Sequence, residues 1–111
     1  MKKIAIPVLN GILSIHFGHC DDFQIFDTEG QEIRNSVTKK SPTHQPGLLP
    51  VWLNELGVTD VIAGGMGQRA ISIFNQNKIN VYTGAPAKRP EELVRDFLNG
   101  TLVTTENLCD H

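Results

Sequence analysis

The chain is poor in the residues that announce several common functions. It has only two cysteines, Cys20 and Cys109, far apart and in no C-x-x-C pair. That is too few for a disulfide framework. Free thiols in a reducing cytoplasm are the expectation, although sequence alone leaves a Cys20–Cys109 bridge open. Basic residues are not in excess: the net charge is −2, whereas a nucleic-acid binder usually shows a basic domain. No apolar run approaches the roughly 20 residues of a membrane span. Neither nucleic acid nor membrane is therefore an expected partner. The opening MKKIAIPVLNG starts basic, but its apolar run stops at Asn10 with no small-residue cleavage pattern, so it reads as a strand and not as a signal peptide.

What is present fits one domain over residues 1–111 with one core. Residues 3–9 are apolar on both faces, which suits a strand covered on both sides. Segments 23–28 and 31–37 flank the turn signal Glu29-Gly30 and read as a hairpin whose polar second strand is an edge. Residues 39–46 read as a loop. Leu48, Leu49, Trp52, Leu53 and Leu56 then recur at helical spacing, with Gly57 as a stop. A strand over 58–63 ends in Gly64-Gly65. A second helix carries Ala70, Ile71, Ile73 and Phe74 and closes near Asn77. A strand over 79–83 follows, then a third helix with Leu93, Val94, Phe97 and Leu98, ended by Gly100. The order β-β-β-α-β-α-β-α predicts an α/β fold with a mixed five-stranded sheet, antiparallel in its first half and parallel in its second.

That order brings four loops to one sheet edge: HFGHC (residues 16–20), THQP (43–46), GGMGQR (64–69) and GAPAKRP (84–90). Ligands of open α/β sheets bind outside the carboxyl ends of the strands. Imidazole and thiolate are metal donors, so His16, His19 and Cys20 are candidate ligands, with His44, Cys109 and His111 as further ones. The spacing H-x-x-H-C is a loose pattern, and the structural alternative is a glycine turn with Phe17 in the core and Cys20 as a small buried hydrophobe. A reactive Cys20 activated by His19 is a third option, with no third group to orient the base. Gly64, Gly65, Met66 and Gly67 join a strand to a helix, where backbone amides suit an anion. Arg69 in the first helical turn favours that reading over a merely tight connection. Lys88 and Arg89 bring further positive charge to the same edge or form a solvated loop.

These segments resemble a known family. Ile4-Ala5-Ile6-Pro7, Ser14-x-His16-Phe17-Gly18-His19-Cys20, His44, Val61-Ile62-Ala63-Gly64-Gly65-Met66-Gly67-x-Arg69-Ala70 and Val81-Tyr82-x-Gly84-Ala85 are similar, in order, to the dinitrogenase iron–molybdenum cofactor biosynthesis family. This is the family of NifX, NafY and the C-terminal domain of NifB. The resemblance implies a ribonuclease H-like fold and a non-enzymatic role: binding, holding or transferring an iron–sulfur or molybdenum-containing cluster or its precursor between donor and acceptor proteins. It extends beyond nitrogen fixation, since a relative, the orange protein, carries a molybdenum–copper–sulfide cluster. The resemblance implies cofactor contact by His16, Phe17, Gly18, His19 and Cys20 and by Gly64, Gly65, Met66, Gly67 and Arg69. Two cysteines cannot supply four thiolates, so histidines, a second subunit in a homodimer or the cluster's own sulfides must complete the set. Nuclease chemistry needs convergent carboxylates around magnesium, and the first strand offers none. A binding module for an oxyanion or a protein, using the same edge without metal, is the alternative.

Overall fold

The first strand organises the molecule. In the computed structural model, which describes residues 2–14, 17, 20–41 and 48–104, β1 (Lys2–Leu9) has Ile4, Ala5 and Ile6 fully buried. Apolar side chains on both faces can be buried only if layers cover both. β1 pairs antiparallel with β3 (Asp22–Glu29) on one side and parallel with β5 (Asp60–Ile62) on the other. β4 (Glu32–Lys40) flanks β3 and β6 (Asn80–Tyr82) flanks β5, so the order is β4-β3-β1-β5-β6. α1 (Leu48–Glu55) and α2 (Gln68–Gln76) lie on one face, where Leu49, Leu53 and Phe74 pack with Ala5, Phe23, Ile25 and Val61. α3 (Pro90–Asn99) lies on the other, with Leu93 and Val94 against Ile4, Ile6, Phe26 and Ile62. No helix among the described residues is long and apolar enough to cross a membrane.

The sheet has six strands, not five. A short β2 (Ile12–Leu13) folds back on the end of β1, pairing Leu9 with Ile12 and Val8 with Leu13. Its turn is Asn10-Gly11, both at positive φ (56° and 84°), the conformation a two-residue hairpin of this kind requires. Two further boundaries differ from the sequence expectation. The turn between β3 and β4 is Gly30-Gln31, one residue later than expected, with Gly30 at φ 60°. β4 also runs on to Lys40, into the expected loop, because the ladder continues to the first residue of β3: Asp22 opposes Lys40. β5 and β6 are shorter than expected. Just before β5, the Thr59 amide still donates to the Lys3 carbonyl at 2.8 Å, but the Lys3 amide donates to the Thr59 hydroxyl at 2.9 Å. The predicted helix stops hold, with Gly57 and Gly100 left-handed at φ 84° and 75°.

Phe17 belongs to the core although it sits in the loop after β2. It is 5% exposed, and its ring meets Phe23 and Phe74 edge-on at centroid distances of 5.7 and 5.6 Å. Removing a buried phenylalanine costs about 3–5 kcal/mol through lost transfer energy and the cavity left behind. Phe17→Ala is therefore expected to lower the urea-unfolding free energy by about 3 kcal/mol or more, measured at equilibrium. Gly11→Ala is expected to cost about 1–2 kcal/mol in the same measurement. An added Cβ meets no atom within 4 Å there, so the loss is the backbone strain alone.

Candidate functional site

The carboxyl ends of β1, β5 and β6 form one edge of the sheet, and backbone hydrogen bonds zip the loops along it. The Phe17 amide donates to the Gly65 carbonyl at 2.9 Å, which fastens the first loop to the glycine turn. The Gly84 amide donates to Gly64 at 2.7 Å, and the Leu13 amide to Lys88 at 2.9 Å. The Asp21 amide reaches Val8, and the Ser41 amide reaches Asp21. The convergence expected from the element order is thus present for the described parts of three loops, the first loop, the glycine turn and the 84–90 loop, while the 43–46 loop lies outside the described residues. His16, Gly18, His19, His44, Cys109 and His111 lie outside the described residues.

The described candidates divide into those that present chemistry and those that shape the edge. The Phe17 and Met66 side chains are core: Met66 is 1% exposed and packs in the same cluster as Phe17 and Phe74. Any contact these two make with a ligand at the edge runs through their backbones. Gly64 and Gly65 are buried, while Gly67 and Arg69 are exposed. Gly67 caps α2 with extended backbone and no side-chain cap, so the amides of Gln68, Arg69 and Ala70 open the helix without intrahelical acceptors. Arg69 has no ion-pair partner among the described residues. Lys88 and Arg89 point their charge elsewhere: Lys88 pairs with Asp96 at 3.4 Å and Arg89 with Glu92 at 3.0 Å, both carboxylates on α3.

Cys20 is a free thiol, half-buried against the Phe17 cluster. Its Sγ donates to the Phe17 carbonyl at 3.7 Å. Burial pushes the thiol pKa above its ordinary value, and the charges of Asp21 and Asp22 push the same way. A hydrogen bond from the Ser41 side chain opposes them. A raised pKa makes the thiol less nucleophilic than an ordinary exposed cysteine at the same pH. Ser41 was not singled out in the sequence. Its signal was positional, as the residue directly after the edge strand, at the level of the first loop.

The donor set can be tested against a metal centre. Among the described residues no three His, Cys, Asp or Glu side chains gather as a metal site. Cys20 is the one soft donor of that part of the edge. A closed four-ligand site therefore needs the histidines of the first loop and of the 43–46 loop, or ligands that arrive with the metal. An anionic cluster carrying its own sulfides asks less of the protein: one or two donors, backbone amides and a cation, which is what Cys20, the start of α2 and Arg69 offer.

The chain is 36% identical over 107 residues to the uncharacterised protein MJ0580 of Methanocaldococcus jannaschii, spanning 92% of this chain and 90% of that protein. The crystal structure of PH0822 superposes with a TM-score of 0.86 at 31% identity, over 92% and 93% of the two chains. The apo form of the orange protein from Desulfovibrio gigas shares the fold, with a TM-score of 0.76 at 20% identity over 96% and 95%. The family described as dinitrogenase iron-molybdenum cofactor matches residues 1–100, and by that match over nearly its whole length the protein belongs to the dinitrogenase iron-molybdenum cofactor family.

Proposed function

We propose that the protein holds a metal–sulfur cluster or its precursor at this edge and passes it on, as a non-catalytic carrier or scaffold. The single observation that carries this reading is the Phe17–Gly65 hydrogen bond. It sets the loop bearing Cys20 beside the glycine turn that opens α2, so a thiol donor and an anion-suited backbone share one edge. In this reading Cys20, His16 and His19 are the ligands, and His44, Cys109 or His111 complete the set. The amides of Gln68, Arg69 and Ala70 and the Arg69 guanidinium hold the cluster's negative charge. The cluster is iron–sulfur or a molybdenum–iron or molybdenum–copper sulfide, exchanged with donor and acceptor proteins in the cytoplasm. A homodimer would share it between two copies. The strand order, once the small β2 is set aside, runs third-second-first-fourth-fifth with the second antiparallel to the rest, which supports the ribonuclease H-like reading of the fold.

A second reading draws on two features: the Cys20 thiol is held above its ordinary pKa, and the start of α2 has no side-chain cap. A metal-free module for an oxyanion, or for a protein presenting one, would need the second feature and not the first.

Anaerobic reconstitution with iron and sulfide, and separately with tetrathiomolybdate and copper, separates the two. The cluster reading expects visible absorption that stays with the protein through gel filtration, is lost in Cys20→Ala combined with His16→Ala, and is weakened in Arg69→Gln. A colourless product matching the double variant sinks it. The oxyanion reading expects phosphate, molybdate or sulfate to raise the melting temperature equally in wild type and Cys20→Ala.

The state of Cys20 gives an independent measurement. In a Cys109→Ser background, iodoacetamide is expected to alkylate the folded protein more slowly at neutral pH than the urea-unfolded chain. The midpoint of the rate against pH should lie above the unfolded one, and Ser41→Ala should move it further up. Faster reaction in the folded state would instead point to a thiol-dependent enzyme.

A further inference from the structure

Helices cover the two faces of the sheet unevenly. α1 and α2 share one face, while α3 alone, ten residues and about 15 Å long, serves the other. One helix of that length cannot span five strands, and a gap remains beside its first turn. The gap is a cavity of about 330 Å³. Its floor is apolar: Phe26, which is 3% exposed, with the half-buried Val8 and Ile33. Gly11 borders it, and its left-handed turn leaves open space where a side chain would stand.

The polar groups around this floor are mainly donors. The Gln24 Oε1 accepts from Thr38 Oγ1 at 2.7 Å, which leaves the amide nitrogen for another partner. The Ser36 backbone pairs with Phe26 in the ladder, and its hydroxyl has no hydrogen-bond partner among the described residues. Arg89 gives its Nε to Glu92 at 3.0 Å, which offsets part of its charge, and keeps its two terminal nitrogens as donors. Glu91 also lines the cavity, but Arg95 holds its carboxylate at 2.7 Å, so that charge is compensated. An apolar floor under free N–H and O–H donors and a guanidinium suits a ligand with a flat apolar body and an anionic head. The volume lies near the lower limit of about 300 Å³ for small-molecule sites, which sets the size at a single ring with its head group.

We propose that this cavity on the α3 face is a second binding site, for a small organic anion of that kind, separate from the edge that carries Cys20. Arg89 and Gln24 hold the head, and Val8, Phe26 and Ile33 receive the body. The site does not rest on the cluster reading, because Cys20 and α2 belong to the opposite face.

Phenyl phosphate is the probe, titrated into the uniformly labelled full-length protein and followed by amide chemical shifts. Saturable shifts at Gln24, Ile33 and Ser36 are expected, with binding about tenfold weaker in Arg89→Gln, the size of one lost charge-assisted contact. Inorganic phosphate, the head without the body, should bind more weakly still. Ser36→Trp, placed on an exposed strand, should fill the cavity and abolish binding while the urea-unfolding midpoint stays where it was. Cys20→Ala should leave binding intact. Shifts that do not saturate, that are unchanged in Arg89→Gln, that benzamidine reproduces equally, or that centre on Cys20 and α2 overturn the proposal.

Discussion

Phe17 is used twice, and the upper edge depends on both uses. Its ring fills the space between Phe23 and Phe74, and its amide is spent on the Gly65 carbonyl. Ordering each loop residue costs about 1–2 kcal/mol of backbone entropy. One buried aromatic side chain offsets part of that cost and fixes the loop at its centre. Cys20 takes its position from the same residue, through the Sγ contact to the Phe17 carbonyl. The donor atom, the glycine turn and the core are thus mechanically one unit.

Beneath that unit lies the constraint set by β1. Because Ile4 and Ile6 face α3 while Ala5 faces α1 and α2, the strand must lie between two layers. Three loops then leave the carboxyl ends of parallel strands on one side, and the β4 end joins them because β3 and β4 form an antiparallel hairpin. The edge was legible in the sequence for this reason. Apolar runs and glycine stops give the element order, and the order alone decides which loops meet. Gly57 and Gly100 could be read as helix ends because left-handed backbone favours glycine strongly.

What was not legible was set by partners and not by local pattern. β4 reaches Lys40 because β3 offers it a partner there, and no apolar alternation marks Lys39 or Lys40 as strand. β5 starts only at Asp60, because at Thr59 the Lys3 amide is taken by a side-chain hydroxyl, although Thr59 keeps its own backbone bonds to Lys3 and Asn80. β2 did carry a signal, Asn10-Gly11, which is the commonest sequence for a tight hairpin, but a strand of two residues shows no periodicity around it. In the site, the contact from Ser41 to Cys20 joins residues from two loops and cannot be read from either. The charges of Lys88 and Arg89 looked available to the edge, and only the position of α3 shows them committed to Asp96 and Glu92.

That commitment has a physical consequence for what the edge can hold. With Lys88 and Arg89 turned to α3, the cations near this edge among the described residues are Arg69, just after the glycine turn, and Lys40, which opposes Asp22 across the hairpin beside the Cys20 loop. Charges of both signs stand at this edge, so backbone amides and coordination add to any selectivity for an anion. Coordination in turn requires the Cys20 proton to leave, and burial together with Asp21 and Asp22 opposes that departure until a metal replaces the proton. A protonated, half-buried thiol is a poor nucleophile, and it would serve as a ligand where a metal ion displaced its proton. Ser41 lowers the cost of losing that proton without abolishing it. A thiol held above its ordinary pKa argues against a nucleophile at this edge and is compatible with the proposed ligand role, in which a bound metal would take the place of the proton.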